Sequence, residues 1–156
     1  MKILGIDPGL ERIGFGLVEK TGSQIKAVEW GLIQTPRVPI AERLLILSDK
    51  IDELLQRTQP DAMAMERLFF AKNQTTVMDV AKACGVILVG AARRGLEATE
   101  YSPPEVKLSV VGNGAAEKKQ VEFMVVKILG LPSPPKPDDV ADALAIAVTH
   151  AMRVRA

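Results

Sequence analysis

The stretch Lys2-Ile3-Leu4-Gly5-Ile6-Asp7-Pro8-Gly9 decides how the rest of the chain is read. Residues 2–7 are short and apolar, and Pro8-Gly9 closes them in a turn. They read as a buried strand with one acid at its carboxyl end. Side chains alternate along a strand, so Asp7 shares a face with Gly5 and Ile3. The glycine leaves room above that face. In open α/β sheets the carboxyl end of a central strand is where ligands bind.

Outward from this strand, residues 12–20 and 24–34 also alternate as strands, and Thr21-Gly22-Ser23 between them signals a hairpin. The chain therefore opens with three strands on short, antiparallel connections. Residues 40–58 carry Ile40, Leu44, Leu47, Ile51, Leu54 and Leu55 at helical spacing. Residues 61–66 (DAMAME) form a short strand, 73–94 a strongly apolar helix, and 97–101 a last strand. Pro103-Pro104 can start a helical turn. An amphipathic helix spans about Glu117 to Leu129, and the prolines of 132–137 stiffen the approach to a final helix, Asp139–Arg155. The order predicts an α/β fold: a mixed five-stranded sheet flanked by helices on both faces, in one domain over residues 1–156.

A second acid, Glu66, ends the DAMAME strand and shares a face with Ala64 and Ala62. If this strand runs parallel beside the first, Asp7 and Glu66 project at the same end of the sheet. Asp139 and Asp142 lie three residues apart, on one face of the last helix. The Val and Ala residues around them imply close packing on the sheet. Taken singly, each acid has a plainer reading: a turn-former at Asp7, a strand-end surface acid at Glu66, helix-dipole acids at Asp139 and Asp142. Asp138 reads as the helix N-cap. Together, four carboxylates gathered in this way would oppose one another and have raised pKa values. A divalent cation would relieve the conflict, and oxygen-only ligands select hard ions such as Mg²⁺ or Mn²⁺.

The chain has 156 residues, 47% of them hydrophobic, which is enough apolar content to offset the entropy of ordering. Net charge is +1, so any contact with nucleic acid depends on a local basic patch. Cys84 is the only cysteine and sits in an apolar run, which implies a buried structural thiol and no intrachain disulfide. No signal-peptide pattern or membrane-length apolar run is present, and a cytoplasmic protein is expected. His150, in the last helix, reads as structural or surface. Trp30 and Tyr101 carry no readable function.

Four segments in collinear order resemble the RuvC family of Holliday-junction resolvases: GIDPGLERIGFG at 5–16, PDAMAMERLFFAKN at 60–73, VVGNGAAEKKQV at 110–121 and DDVADALAIAVTH at 138–150. GIDPG alone is shared with sugar-kinase and actin-like folds. E-x-x-F-x-A-K-N and D-x-x-D-A-L-A-I-A are far more specific. The resemblance implies a ribonuclease-H-like fold and a homodimer built on the helix at 73–94, although a plain core helix has the same pattern. It implies paired incision of a four-way DNA junction with Mg²⁺ or Mn²⁺, two ions per site. A branch-migration motor complex is the implied partner. The family's catalytic and metal-ligating acids fall on Asp7, Glu66, Asp139 and Asp142.

For DNA binding the resemblance favours Phe69 as an exposed aromatic that stacks on or wedges the junction, with Phe70 left to packing. It places Lys107 and Lys118 near DNA and the acids, as phosphate-binding positions. Lys72 and Lys119 are further basic candidates, with Arg67. A lysine on a solvated helix face is the plain alternative for each. Two other function classes fit parts of the chain. One is a junction-binding protein that does not cut, which would have lost an acid. The other is a nucleotide-binding module, which would need two lobes and more residues than this chain has.

Overall fold

The computed structural model describes residues 1–68 and 74–154. Ten elements follow in the order β1 (Lys2–Asp7), β2 (Arg12–Thr21), β3 (Gln24–Gln34), α1 (Ile40–Thr58), β4 (Ala62–Glu66), α2 (Gln74–Arg93), β5 (Ala98–Tyr101), α3 (Pro103–Val111), α4 (Lys118–Leu129) and α5 (Asp138–Arg153). The five strands lie in the order β3-β2-β1-β4-β5. β1–β2 and β2–β3 are antiparallel, whereas β1–β4 and β4–β5 are parallel. This is the mixed α/β sheet expected, with β1 central.

Because strand side chains alternate, the sheet buries a separate apolar layer on each face. On one face Leu4, Ile6, Ile13, Leu17, Met63 and Met65 pack against Leu47, Ile51 and Leu55 of α1 and Ile87 of α2. On the other, Ile3, Val18, Ala64 and Tyr101 meet α3, α4 and α5. Cys84 is buried in the first layer, and burial pushes its thiol up to about 11.

The helix ends follow from local chemistry, with one departure from expectation. Ser102 caps α3 in a reciprocal box with Glu105, directly before Pro103 and Pro104. At the start of α4 the Glu117 backbone N–H donates to Gln120 Oε1 at 2.8 Å, which is the backbone-capping half of such a box. The N-cap of α5 is Pro137, not Asp138 as expected. Pro137 has φ −70° and an extended ψ of 177°, outside the helical range, and the helix begins directly after it at Asp138, one residue earlier than expected. Asp138 is therefore the first helical residue, and its side chain turns to Lys136 and Lys118.

α5 lies against the sheet with almost no side-chain layer between. A Cβ added at Gly5 would stand 2.1 Å from the Ala143 carbonyl oxygen, and one at Gly14 would stand 1.9 Å from that of Asp139. At Gly16 the nearest atom would be Leu144 Cδ2, at 2.6 Å. Gly5 pairs with Gly16 across the β1–β2 ladder, and Asp7 pairs with Gly14. The glycines thus form a bare floor on which the first turns of α5 sit.

Candidate active site

The floor decides where the acids meet. The parallel register pairs Gly5 with Ala64 and Ile6 with Met65, so Asp7 and Glu66 follow side by side at the carboxyl ends of β1 and β4. The Asp139 backbone rests on Gly14, the ladder partner of Asp7, which brings the first turn of α5 over the same end. Asp142, one turn on, joins Glu66, Lys107 and Lys118 in lining a cavity of about 250 Å³. Asp7 and Glu66 also line a neighbouring hollow of about 310 Å³ with Thr76, Val77 and Val80 of α2.

The electrostatics are those of carboxylates held together away from water. Burial, reinforced by Glu66, Asp142 and Asp139, pushes the Asp7 carboxyl up to about 8, with Lys118 opposing. Burial followed by Asp142 raises Glu66. Burial also raises Asp142 against the pull of Lys118. The Lys118 ammonium loses hydration in the site, but Asp142 and Asp138 outweigh this and raise its pKa.

Two of the acids are engaged by basic side chains from other elements. Lys118 Nζ donates to Asp142 Oδ2 at 3.0 Å and lies 3.4 Å from Asp138. Arg12 Nη2 stands 3.1 Å from Asp139 Oδ2. Among the described residues that buried oxygen accepts no hydrogen bond, so the Arg12 contact is a charge contact without donor alignment. Among the described residues, no three acid, histidine or cysteine side chains already stand as a metal-ligand group. The donor set nevertheless fits a hard cation: it is all oxygen, it has a buried carboxylate oxygen without a hydrogen-bond partner among the described residues, and burial together with the neighbouring acids raises the Asp7 carboxyl.

Asp7, Glu66, Asp139 and Asp142 are therefore brought to one end of the sheet, with Lys107 and Lys118 beside them. Lys119 is not: it lines a separate hollow with Val111, Phe123 and Met124. Phe69, Phe70 and Lys72 lie outside the described residues. Arg67 donates to the Glu100 carbonyl at 3.3 Å. Arg12 was missed by sequence reasoning, because a basic residue opening a strand looks like any solvated strand end. His150 is structural, as one of its two readings had it: it is buried, with Nδ1 2.9 Å from the Tyr101 hydroxyl. Arg153 stacks over the Tyr101 ring at 4.9 Å and reaches Glu105, tying α5 to α3.

A mixed sheet of this order, with acids from β1, β4 and the last helix converging at one end, defines a ribonuclease-H-like nuclease. The chain belongs to the RuvC family: the model for "Crossover junction endodeoxyribonuclease RuvC" matches residues 3–150. The chain is 49% identical over 152 residues to the enzyme of that name from Brevibacillus brevis, an alignment covering 97% of this chain and 92% of the relative. Thermus thermophilus RuvC in complex with Holliday junction substrate superposes with a TM-score of 0.92 at 38% identity, covering 97% of this chain and 93% of that one. The yeast mitochondrial Holliday junction resolvase, at 16% identity and a TM-score of 0.71, shares the fold over 96% of this chain and 78% of its own.

Proposed function

We propose that this endonuclease resolves four-way DNA junctions by paired, symmetric hydrolysis of phosphodiesters in homologous recombination and repair. The observation that carries the reading is the seating of α5 on Gly14, which sets Asp139 and Asp142 over Asp7 and Glu66. These four acids are the catalytic set and would hold Mg²⁺, or Mn²⁺ in its place, as a pair of ions. Such a pair, when bound, activates a water for in-line attack and stabilises the leaving oxygen. Asp7, central among the acids, anchors the set. Lys107 and Lys118 line the cavity beside Glu66 and Asp142, and their role is to hold the scissile phosphate. Phe69, Lys72 and Lys119 complete the DNA contacts in this reading. The chain acts as one nuclease domain.

Paired cuts need two sites related by symmetry, and α2 supports a homodimer. Ala83, Ile87 and Ala91 face the core. A second stripe on the same helix is uncovered: Met78 is 59% exposed and Val89 51%. Between them a Cβ at Gly85 would meet nothing within 4 Å, so a second α2 could approach closely there. Delivery by a branch-migration motor, in the cytoplasm, belongs to the same reading. Among the described residues no helix is long and apolar enough to cross a membrane.

The test is incision of a labelled mobile four-way junction with Mg²⁺ and then Mn²⁺, beside linear duplex and Asp7→Asn. Symmetric nicks in the junction alone, absent in the variant, are expected. Tight junction binding with no cut in either metal would instead make the chain a non-catalytic junction binder.

A further inference from the structure

The acid cluster is half-neutralised from within, and the two basic groups that do this are placed differently. Lys118 makes an aligned hydrogen bond to Asp142. Arg12, at the first position of β2, hovers 3.1 Å from a buried Asp139 oxygen without donating to it. A guanidinium that aligned with this carboxylate would form the strong forked pair that arginine favours. Instead the Arg12 side chain is 54% exposed, against 26% for Asp139, so it can swing outward without uncovering core.

Charge decides what such an arrangement is for. Among the described residues, Arg12 and Lys118 pair with two of the four carboxylates and Lys107 lines the cavity beside them, which leaves the cluster short of positive charge. A pair of divalent ions carries four positive charges, enough to match all four carboxylates and leave Arg12 with nothing to neutralise. Displaced at the rim of the site, it would then meet the incoming negative charge, a DNA phosphate.

We infer that Arg12 is a displaceable stand-in: it shields Asp139 while the acids are bare and moves onto a DNA phosphate once they hold cations. This rests on the metal-site reading given above. In that role Arg12 competes with the cation and assists the DNA. By linkage, the cation raises junction affinity partly by releasing Arg12, and the junction raises cation affinity equally.

The two roles predict opposite effects of one substitution, which a merely structural arginine would not produce. The full-length protein, Arg12→Ala and Arg12→Lys are compared in two assays, with thermal melts as the folding control. Calorimetric titration with Mn²⁺ in the absence of DNA is expected to show binding about threefold to tenfold tighter in Arg12→Ala, because a competing charge has gone. Fluorescence anisotropy of a labelled four-way junction, in Ca²⁺ to hold it uncut, is expected to show binding about fivefold or more weaker, partly restored in Arg12→Lys. In EDTA the same junction should bind wild type and Arg12→Ala about equally.

Unchanged or weaker Mn²⁺ binding in Arg12→Ala would overturn the inference, making Arg12 a brace for Asp139. So would an equal loss of junction affinity with and without Ca²⁺, which marks a permanent phosphate contact. Asp7→Asn separates the two levels. Mn²⁺ binding that it abolishes supports the acid site whatever Arg12 does, and wild type that binds no Mn²⁺ overturns both.

Discussion

Gly14→Ala tests the seating of α5 on the sheet. The added methyl would lie 1.9 Å from the Asp139 carbonyl oxygen and 2.3 Å from its carbonyl carbon. Both are backbone atoms, so no rotamer change relieves the clash, and β2 and α5 must part by about 1 Å or more. Overpacking of this kind destabilises by roughly 1–3 kcal/mol. For a domain of this size that lowers Tm by about 2–4 °C per kcal/mol. The larger effect falls on the site, because the displaced turn carries Asp139 and leads into Asp142. A misplacement of about 1 Å can reduce a rate on the order of 10²-fold. Gly16→Ala is the graded control, since its methyl meets the Leu144 side chain, which can rotate away in part. Expected from junction cleavage and thermal melts are a folded Gly14→Ala protein with modestly lower Tm and about a hundredfold less incision, and a smaller loss of incision in Gly16→Ala. Wild-type incision by a folded Gly14→Ala protein would refute the idea that this contact positions the acids.

Three further outcomes follow from other parts of the molecule. The Asp7 carboxyl is raised from 3.8 to about 8, so its stabilising contribution is full below pH about 4 and lost as pH rises through about 8. In EDTA at pH 9, Asp7→Asn should therefore be more stable than wild type, on the order of 2 kcal/mol after solvent screening, with little difference at pH 4; urea denaturation at both values checks this. Gly85→Glu puts a charge on the uncovered stripe of α2 where a side chain meets open space, so the fold should survive while sedimentation shifts toward monomer. Cys84 is buried with its thiol pushed up to about 11, so iodoacetamide at pH 8 should alkylate it only after denaturant is added.

Much of this molecule was legible from local pattern. Alternation and turn chemistry located β1, β2 and β3, and the acids at strand ends followed from β1 and β4 being parallel neighbours. The glycine beside Asp7 pointed only to room above the sheet, and the Val and Ala residues around Asp139 and Asp142 to close packing of the last helix; the structure fills that room with backbone atoms of α5. What could not be read belongs to contacts between distant elements. Lys118 meets Asp142 only because α4 lies beside α5, and Tyr101 meets His150 only because β5 faces α5. The N-cap of α5 was misplaced by one residue because Asp is a good cap; Pro137, with its extended ψ of 177°, holds that position and Asp138 opens the helix.

The acids also come from two strands in the first half of the chain and from the last helix, and this has a consequence for synthesis. Asp7 and Glu66 leave the ribosome early, on strands that can pair while the rest of the chain is still being made. Asp139 and Asp142 arrive with α5, the helix that covers one face of β1, β2 and β4. Until that helix docks on its glycine floor, an emerging chain carries half of the acids and an open sheet face. On the assignment proposed above, the step that seats α5 and completes this core is also the step that arms the nuclease.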